Sequence, residues 1–175
     1  PPVFSEDAVL FLQGFIEVVL FMPGGKLGAN SRLPLRHDGE EEPGGPIGVT
    51  CTNIGENLLE SELFGSMKGA YTDAVSQPGK IIEAYNGTLF LDEIGDLSLY
   101  HQAKLLQYLQ DGMVSPIGWS GKGIYVPTVI VAATNQNLER KVEEGEFRED
   151  LYHRLGVSVT IPPLKERLGD MDWLV

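Results

Sequence analysis

A short run of strand-forming residues, Thr88 to Leu91, ends directly in two carboxylates, Asp92 and Glu93. An apolar run of this length between turn residues is typical of a buried strand in a parallel sheet. In open α/β sheets the ligand lies beyond the carboxyl ends of the strands. The pattern therefore predicts two carboxylates at a ligand-binding edge, although an ordinary strand that ends in a solvated acidic turn would show the same six residues.

Strands and helices alternate along most of the chain, and this order predicts an α/β fold with a parallel sheet. No internal repeat or coiled-coil heptad interrupts this order. Strands are expected over residues 15–22, 49–52, 88–92, 129–133 and 157–161, and helices over residues 6–13, 55–64, 79–85, 99–110, 138–144 and 148–155.

Two of these helices carry clear end signals and apolar spacing. Ser98 is the expected N-cap of the helix over 99–110, and Gly112 is its expected stop. The spacing of Leu99, Ala103, Leu106 and Gln110 predicts one face of that helix. In the helix over 55–64, which Gly65 should end, the residues expected together on one side are Leu58, Leu59 and Leu63.

Composition limits the class of protein. The chain has 175 residues, 42% of them hydrophobic, which suits one domain with a sizeable core. Its formal net charge of -12 argues against direct contact with a nucleic-acid backbone. The apolar stretch 8–22 contains Gln13 and Glu17 and is too short to span a bilayer. We therefore expect a cytoplasmic protein without a membrane partner, and Cys51, the single cysteine, as a buried thiol.

Four segments occur together in a characteristic order: residues 60–65 (ESELFG), 69–74 (GAYTDA), 87–97 (GTLFLDEIGDL) and 147–155 (FREDLYHRL). In this order and at these separations they closely resemble the central ATPase domain of bacterial enhancer-binding proteins, the AAA+ activators of sigma-54 RNA polymerase. The resemblance covers residues 49–175. It implies the parallel-sheet, three-layer P-loop NTPase fold, of which this chain would be the large α/β subdomain, with ATP and Mg²⁺ as cofactors.

The resemblance assigns roles to several residues. Asp92 and Glu93 match the Walker B pair, in which the aspartate coordinates magnesium and the glutamate polarises the hydrolytic water. Asn135 matches the sensor of the terminal phosphate. Arg148 and Arg154 match the two arginines that reach into the neighbouring subunit's site in a ring. Ordinary surface ion pairs offer another explanation for the last segment, because Asp150 and Arg154, like Glu149 and His153, are four residues apart on a predicted helix.

Residues 69–74 match the GAFTGA loop, through which the family contacts sigma-54. The six residues are Gly69, Ala70, Tyr71, Thr72, Asp73 and Ala74. Tyr71 keeps the aromatic character of the usual Phe. Asp73 stands where the family has a second Gly, so it adds a charge and would strain a backbone of positive φ. Thr50 stands where the family has an Asn that restrains the Walker B glutamate, and its hydroxyl has a shorter reach.

Residues 1–48 depart furthest from the family. A Gly-x-x-Gly-x-Gly-Lys-type loop is expected before the strand that contains Cys51. The chain offers only Gly24, Gly25 and Lys26 as nucleotide-binding candidates there, and glycines and prolines interrupt the region of the following helix. The residues that do so are Gly28, Pro34 and Gly39.

Two functions are compatible with this sequence. One is an ATP-hydrolysing module that assembles into a ring and remodels sigma-54 RNA polymerase. The other is an interaction or regulatory module of the same ancestry that is inactive toward nucleotide because its phosphate loop is degraded. The family's small helical lid would follow residue 175, and DNA contact is expected through a C-terminal domain beyond the chain.

Overall fold

The central sheet has five strands, and two small hairpins flank it. The computed structural model describes residues 16–21, 47–52, 55–72, 74–161 and 166. The strands are β1 (Ile16–Phe21), β2 (Ile47–Thr50), β3 (Gly65–Ser66), β4 (Gln77–Pro78), β5 (Thr88–Asp92), β6 (Met113–Val114), β7 (Ile124–Tyr125), β8 (Val129–Thr134) and β9 (Val157–Ile161). The helices are α1 (Glu56–Phe64), α2 (Lys80–Glu83), α3 (Leu99–Asp111), α4 (Leu138–Glu143) and α5 (Glu149–Arg154), and a 3₁₀ turn covers Ile94–Asp96.

The order of the strands in the main sheet is β2-β5-β8-β1-β9. Strand β5 is parallel to both β2 and β8, which confirms the predicted parallel α/β core. Strand β1 lies within the predicted strand over 15–22, but it runs antiparallel to β8 and β9, so the sheet is mixed. The helix expected over 6–13 lies outside the described residues.

The core lies on one face of β5 and β8. Leu89, Leu91, Ile130 and Ala132 are fully buried there. Alternate residues of a strand point to opposite faces, and the intervening Phe90 is only half-buried. One face of these two strands is therefore fully buried at these positions, while the other is only partly covered at Phe90.

Two predicted helix faces need correction. In α3 only part of the predicted face is buried, since Leu106 is 7% exposed whereas Leu99 is 49% exposed. In α1 Leu59 and Leu63 are buried, but Leu58 is 61% exposed. Both errors arise because leucine spacing alone ignores buried polar residues. The buried residues of α3 are His101, Gln102, Leu105, Leu106, Tyr108 and Leu109.

The ends of α3 confirm the capping prediction. The Ser98 hydroxyl accepts a hydrogen bond from the His101 backbone N–H, and Gly112 adopts φ 71°, a left-handed conformation that glycine tolerates at helix ends. Among the described helices, none is long and apolar enough to cross a lipid bilayer.

The two hairpins were not predicted from the sequence. Strands β3 and β4 close the segment 67–76, and β6 and β7 close the segment 115–123. At the base of the first hairpin, Gly65 and Gly79 meet backbone to backbone. A Cβ added at Gly79 would lie 2.4 Å from the Gly65 nitrogen and 2.3 Å from the Phe64 carbonyl carbon. A bridge between Ser66 and Ile117 joins the two hairpins.

Candidate functional site

Three neighbouring strands deliver polar side chains to one edge of the sheet. Thr50 and Asp92 are register partners at the carboxyl ends of β2 and β5. Asn135 follows the last residue of β8, the strand on the other side of β5. This edge is where an α/β sheet binds its ligand. The two carboxylates therefore occupy the position predicted from the sequence.

Glu93 is held in an unusual conformation at this edge. Its backbone has φ 55° and ψ 47°, a left-handed conformation that costs a non-glycine residue about 1 kcal/mol. Its N–H donates to Asp92 Oδ1 at 3.0 Å. The sharp turn carries the Glu93 side chain away from the strand direction and toward β8.

The carboxylate of Glu93 is bound by Asn135. Asn135 Nδ2 donates to Glu93 Oε1 at 2.8 Å, and the Asn135 backbone N–H donates to Oε2 at 3.4 Å. Thr50, which stands at the position of the family's restraining Asn and was expected to have a shorter reach, is exposed at the end of β2. Both hydrogen bonds found on this carboxylate in the described residues thus come from the predicted phosphate sensor.

The turn after Glu93 is fixed against the segment that follows β8. Lys141 Nζ donates to the Gly95 carbonyl at 2.7 Å, and Gln136 Nε2 donates to Asp96 Oδ1. A side chain at Gly95 would approach Thr134 Oγ1 to 2.9 Å, so the turn packs closely on β8. These contacts limit the movement of the main chain that carries Glu93.

Asp92 suits a magnesium ion that also binds phosphates. Its side chain is half-buried, and Oδ1 accepts the Glu93 N–H. Within the described residues no group of three or more His, Cys, Asp or Glu could hold a metal ion by itself. Mg²⁺ commonly takes only one or two protein carboxylates and completes its shell with waters and substrate phosphates. A single aspartate at the strand end is consistent with this coordination of Mg²⁺.

Cys51 is buried next to this edge, and its thiol is not ionised. It is 4% exposed, and its N–H donates to the Asp92 carbonyl at 2.9 Å. Burial, reinforced by the negative charge of Asp92 and other nearby carboxylates, raises the pKa of the Cys51 thiol to about 12. The thiol is therefore neutral at physiological pH and packs as a small apolar group.

Arg148 lies at the N-terminus of α5, with its guanidinium group bound in a two-point ion pair. Arg148 Nε and Nη2 donate to the Asp150 carboxylate at 2.9 and 2.7 Å. The hydrogen bonds from Arg148 hold the pKa of Asp150 below its usual range. Both side chains are more than one-third exposed, so the pair forms at the surface of the domain.

Arg154 lies at the other end of α5 and turns inward. Its Nη2 donates to the Leu109 carbonyl of α3 at 3.1 Å. The contact considered as an alternative for Glu149 and His153 is present, with 3.6 Å between His153 Nε2 and Glu149 Oε1, and both side chains are well exposed. The two arginines therefore have different environments, one at the surface and one packed on α3.

The segment 67–76 forms a compact loop. The Gly69 N–H donates to the Ala74 carbonyl at 3.3 Å, and Gly69 has φ 81°. Tyr71 is 38% exposed. Asp73 lies outside the described residues. The loop thus presents an aromatic side chain on a turn closed by its own main chain.

The predicted phosphate-binding residues Gly24, Gly25 and Lys26 lie outside the described residues. The strand that precedes them is described. Phe21, the last residue of β1, pairs with Ile130 near the start of β8. Strand β1 therefore ends at the edge of the sheet opposite the one where Asp92 lies.

The sigma-54 interaction domain model matches residues 35–161. The chain belongs to this family. It is 52% identical over 127 residues to the Nif-specific regulatory protein of Azotobacter vinelandii, covering 71% of this chain and 24% of that protein. It is 52% identical over 132 residues to UacR of Escherichia coli, a putative uric acid sigma-54-dependent transcriptional regulator, covering 74% of this chain and 22% of UacR.

A solved relative supports the AAA+ fold. NtrX from Brucella abortus, crystallised in complex with ATP, matches with a TM-score of 0.64 and 35% identity, covering 73% of this chain and 28% of NtrX. The chain spans about a quarter of the length of the relatives it matches. The match confirms the family resemblance that the four sequence segments indicate.

This sigma-54 interaction domain also has a buried polar residue that was not predicted as part of the site. Gln102 of α3 is fully buried, and its side chain bonds to Leu97, Glu146 and Arg148. The available signal was a polar residue at helical spacing with Leu105 and Leu109, which are buried on the same face.

Proposed function

We propose that this chain is the ATP-binding and ATP-hydrolysing core of a sigma-54-dependent transcriptional regulator that remodels RNA polymerase holoenzyme in the bacterial cytoplasm. The observation that supports this most directly is the meeting of Asp92, Glu93 and Asn135 at one edge of the sheet. Family membership and the ATP complex of NtrX support the choice of nucleotide.

Asp92, Glu93 and Asn135 would have different roles in hydrolysis. Asp92 would hold Mg²⁺, which when bound supplies positive charge to the phosphate oxygens. Glu93 would accept a proton from, or orient, the attacking water. Asn135 holds the Glu93 carboxylate in the present state. When Asn135 instead donates to the terminal phosphate, Glu93 is released for its role with water.

The arginines would act on a neighbouring subunit in a ring. Arg148 is the more accessible of the two, and its planar guanidinium group can donate two hydrogen bonds to phosphate oxygens as it does to Asp150. The phosphate would replace Asp150 as the partner of the guanidinium group. Arg154, packed on α3, would have to leave the Leu109 carbonyl to take part directly.

The loop over 69–74 would contact sigma-54. Tyr71 provides an exposed aromatic surface, and Gly69 supplies the positive φ of the turn. Asp73 adds a negative charge to this contact, so we expect weaker sigma-54 binding than with Gly there. DNA would be contacted by a separate C-terminal domain, in keeping with the net charge of -12 of this chain.

Thermal unfolding in the presence of magnesium ATP tests the proposal. A ligand at 100 times its dissociation constant adds about 2.7 kcal/mol to folded stability, which gives a clear rise in Tm. ATP with a chelator and the Asp92→Asn variant are the matched controls, and both should shrink the shift. A Tm that does not move at millimolar magnesium ATP would overturn the proposal.

A nucleotide-inactive module of the same family is the second candidate. The observation that favours it is the direction of β1. This strand precedes the predicted phosphate-binding residues 24–26 in sequence, but it ends at the edge opposite Asp92. Lys26 distinguishes the two candidates. If Lys26 binds phosphate, the Lys26→Ala variant should lose the nucleotide-dependent Tm shift; in an inactive module, neither chain shows a shift.

A further inference from the structure

The side-chain amide of Gln102 is fully buried, and both its nitrogen and its oxygen have hydrogen-bond partners. Nε2 donates to the Leu97 carbonyl at 2.7 Å and to the Glu146 carbonyl at 3.0 Å. Oε1 accepts the Arg148 backbone N–H at 2.8 Å. Two donors face two carbonyls and one acceptor faces one N–H, so the orientation of the amide follows from its partners.

These three bonds join two parts of the proposed machinery. Leu97 ends the turn that begins at Glu93, and that turn carries the carboxylate of the chain's own site. Arg148 is the N-cap of α5, and its guanidinium group lies at the surface. Gln102 lies between them on α3, the longest described helix. A single side chain thus fixes the main chain of Arg148 against the turn that follows Glu93.

The site would not accept a simple replacement. An apolar side chain would leave two carbonyls and one N–H without their partner, and each of these groups that stays buried would destabilise the fold. A carboxylate would repel both carbonyls and could donate only when protonated. The amide is the side chain whose donors and acceptor satisfy all three groups at once.

We propose that Gln102 is a positioning residue. It fixes the main chain of Arg148 at the surface of the domain and thereby controls hydrolysis at the neighbouring subunit's site. This inference rests on the proposed function. Gln102 does not touch nucleotide in this role, and its contact with Arg148 is made to the main chain. Loss of the amide should consequently affect the arginine offered to the neighbour far more than the nucleotide site of the same chain.

The test compares Gln102→Met with Tyr108→Phe. Met keeps the length of the side chain and removes the amide. Tyr108→Phe removes a different buried hydrogen bond of α3, from the hydroxyl to the Val126 carbonyl at 2.9 Å, and serves as the matched control. We expect Gln102→Met to bind magnesium ATP normally and to lose at least ten-fold in kcat. Tyr108→Phe should keep kcat within two-fold.

A mixture of variants identifies the subunit that is affected. Glu93→Gln subunits lack their own water-polarising carboxylate but have an intact Arg148. Mixed with Gln102→Met subunits, they should raise turnover above that of either variant alone, because each Gln102→Met site can then receive a well-placed arginine. A mixture no more active than the sum of its parts would overturn the proposal.

Amide hydrogen exchange tests the geometry without depending on turnover. In Gln102→Met, exchange of the Arg148 N–H should speed up by at least ten-fold relative to Tyr108→Phe. Unchanged protection of that N–H would overturn the positioning role even in a chain that hydrolyses ATP. A wild-type chain that binds no nucleotide, with Arg148 exchange faster in Gln102→Met, would refute the proposed function and leave the positioning contact supported.

Discussion

Asn135 donates from its side-chain amide to Glu93 Oε1 across 2.8 Å, and its backbone N–H faces the other carboxylate oxygen at 3.4 Å. The residue expected to sense phosphate therefore holds the residue expected to polarise water. The Asn135 amide has two N–H donors, and the bond to Glu93 uses one of them, so a phosphate that draws the amide toward itself would weaken its hold on the carboxylate. Phosphate binding and release of Glu93 would thus be coupled.

Glu93→Gln tests the role of the carboxylate. The amide is similar in size but cannot accept a proton from water, so turnover should fall at least 100-fold, within the usual contribution of a general base. The Tm shift with magnesium ATP should remain, because Asp92 is unchanged. Steady-state hydrolysis and thermal unfolding measure the two effects, and persistent turnover would assign the base elsewhere.

Asn135→Asp places a second carboxylate against Glu93. Like charges at hydrogen-bonding distance raise the pKa of a carboxylic acid, so the acidic limb of the kcat profile should move up by about one pH unit or more. Asn135→Ala removes the amide without adding charge and is the control. Identical pH profiles for the two variants would show that the introduced carboxylate and Glu93 do not interact during turnover.

Thr50→Asn would give Glu93 a second amide neighbour. Thr50 is the register partner of Asp92, so a longer side chain at this position can reach the same edge. One additional hydrogen bond that holds Glu93 back should slow basal hydrolysis about 3- to 10-fold, the equivalent of roughly 1 kcal/mol. Thr50→Val, which has a similar shape but no donor, should leave the rate unchanged. Equal rates in Thr50→Asn and wild type would exclude this restraint.

Cys51 predicts a loss of stability at alkaline pH. The pKa of the thiol rises from its ordinary value of 9.0 to about 12 in the folded chain, so folding favours the neutral form. The contribution of the neutral thiol to the free energy of unfolding is complete below pH 9. It is lost as the pH rises from 9 to 12, at about 1.4 kcal/mol per pH unit. Denaturant unfolding of wild type and Cys51→Ala should show free energies that converge over this range. A constant difference would place the thiol in contact with water.

Gly79→Ala should destabilise the fold strongly. The added Cβ would meet the backbone of Phe64 and Gly65 at 2.3 and 2.4 Å, and main-chain atoms cannot rotate away, so we expect a loss of about 3 kcal/mol or more. Gly48→Ala, with open space around its Cβ, should change the free energy of unfolding by less than about 0.5 kcal/mol. Denaturant titration of both variants measures the contrast, and similar values would contradict the close approach.

The sequence predicted the location of Asp92 and Asn135 at the carboxyl edge because both residues follow apolar strands directly. Asp92 ends β5 and Asn135 comes just after β8, so their meeting follows from a parallel pair of strands. The direction of β1 could not be predicted, because an apolar run shows that a strand is buried but not which way it points. The pairing of Glu93 with Asn135 was also missed, since it depends on the left-handed turn at Glu93.

Helix faces were predicted less well where polar residues are buried. Leucine spacing placed Leu58 and Leu99 on inner faces, although both are about half exposed or more. Gln102 and His101 take inner positions on α3 because each finds a hydrogen-bond partner there. Residues 115–123 gave no hairpin signal, because their strands are only two residues long and depend on contacts with the neighbouring hairpin.

The contact between Gly65 and Gly79 makes the segment 67–76 an exchangeable part. The segment joins the rest of the domain where the main chains of Gly65 and Gly79 touch. Neither glycine has a side chain that could contact the loop. Its own main chain closes it, as the Gly69 to Ala74 hydrogen bond shows. The loop of a relative could therefore replace this one, provided that both glycines stay and that the new loop keeps the contacts of Met67 and Ala70 with residues 117–118.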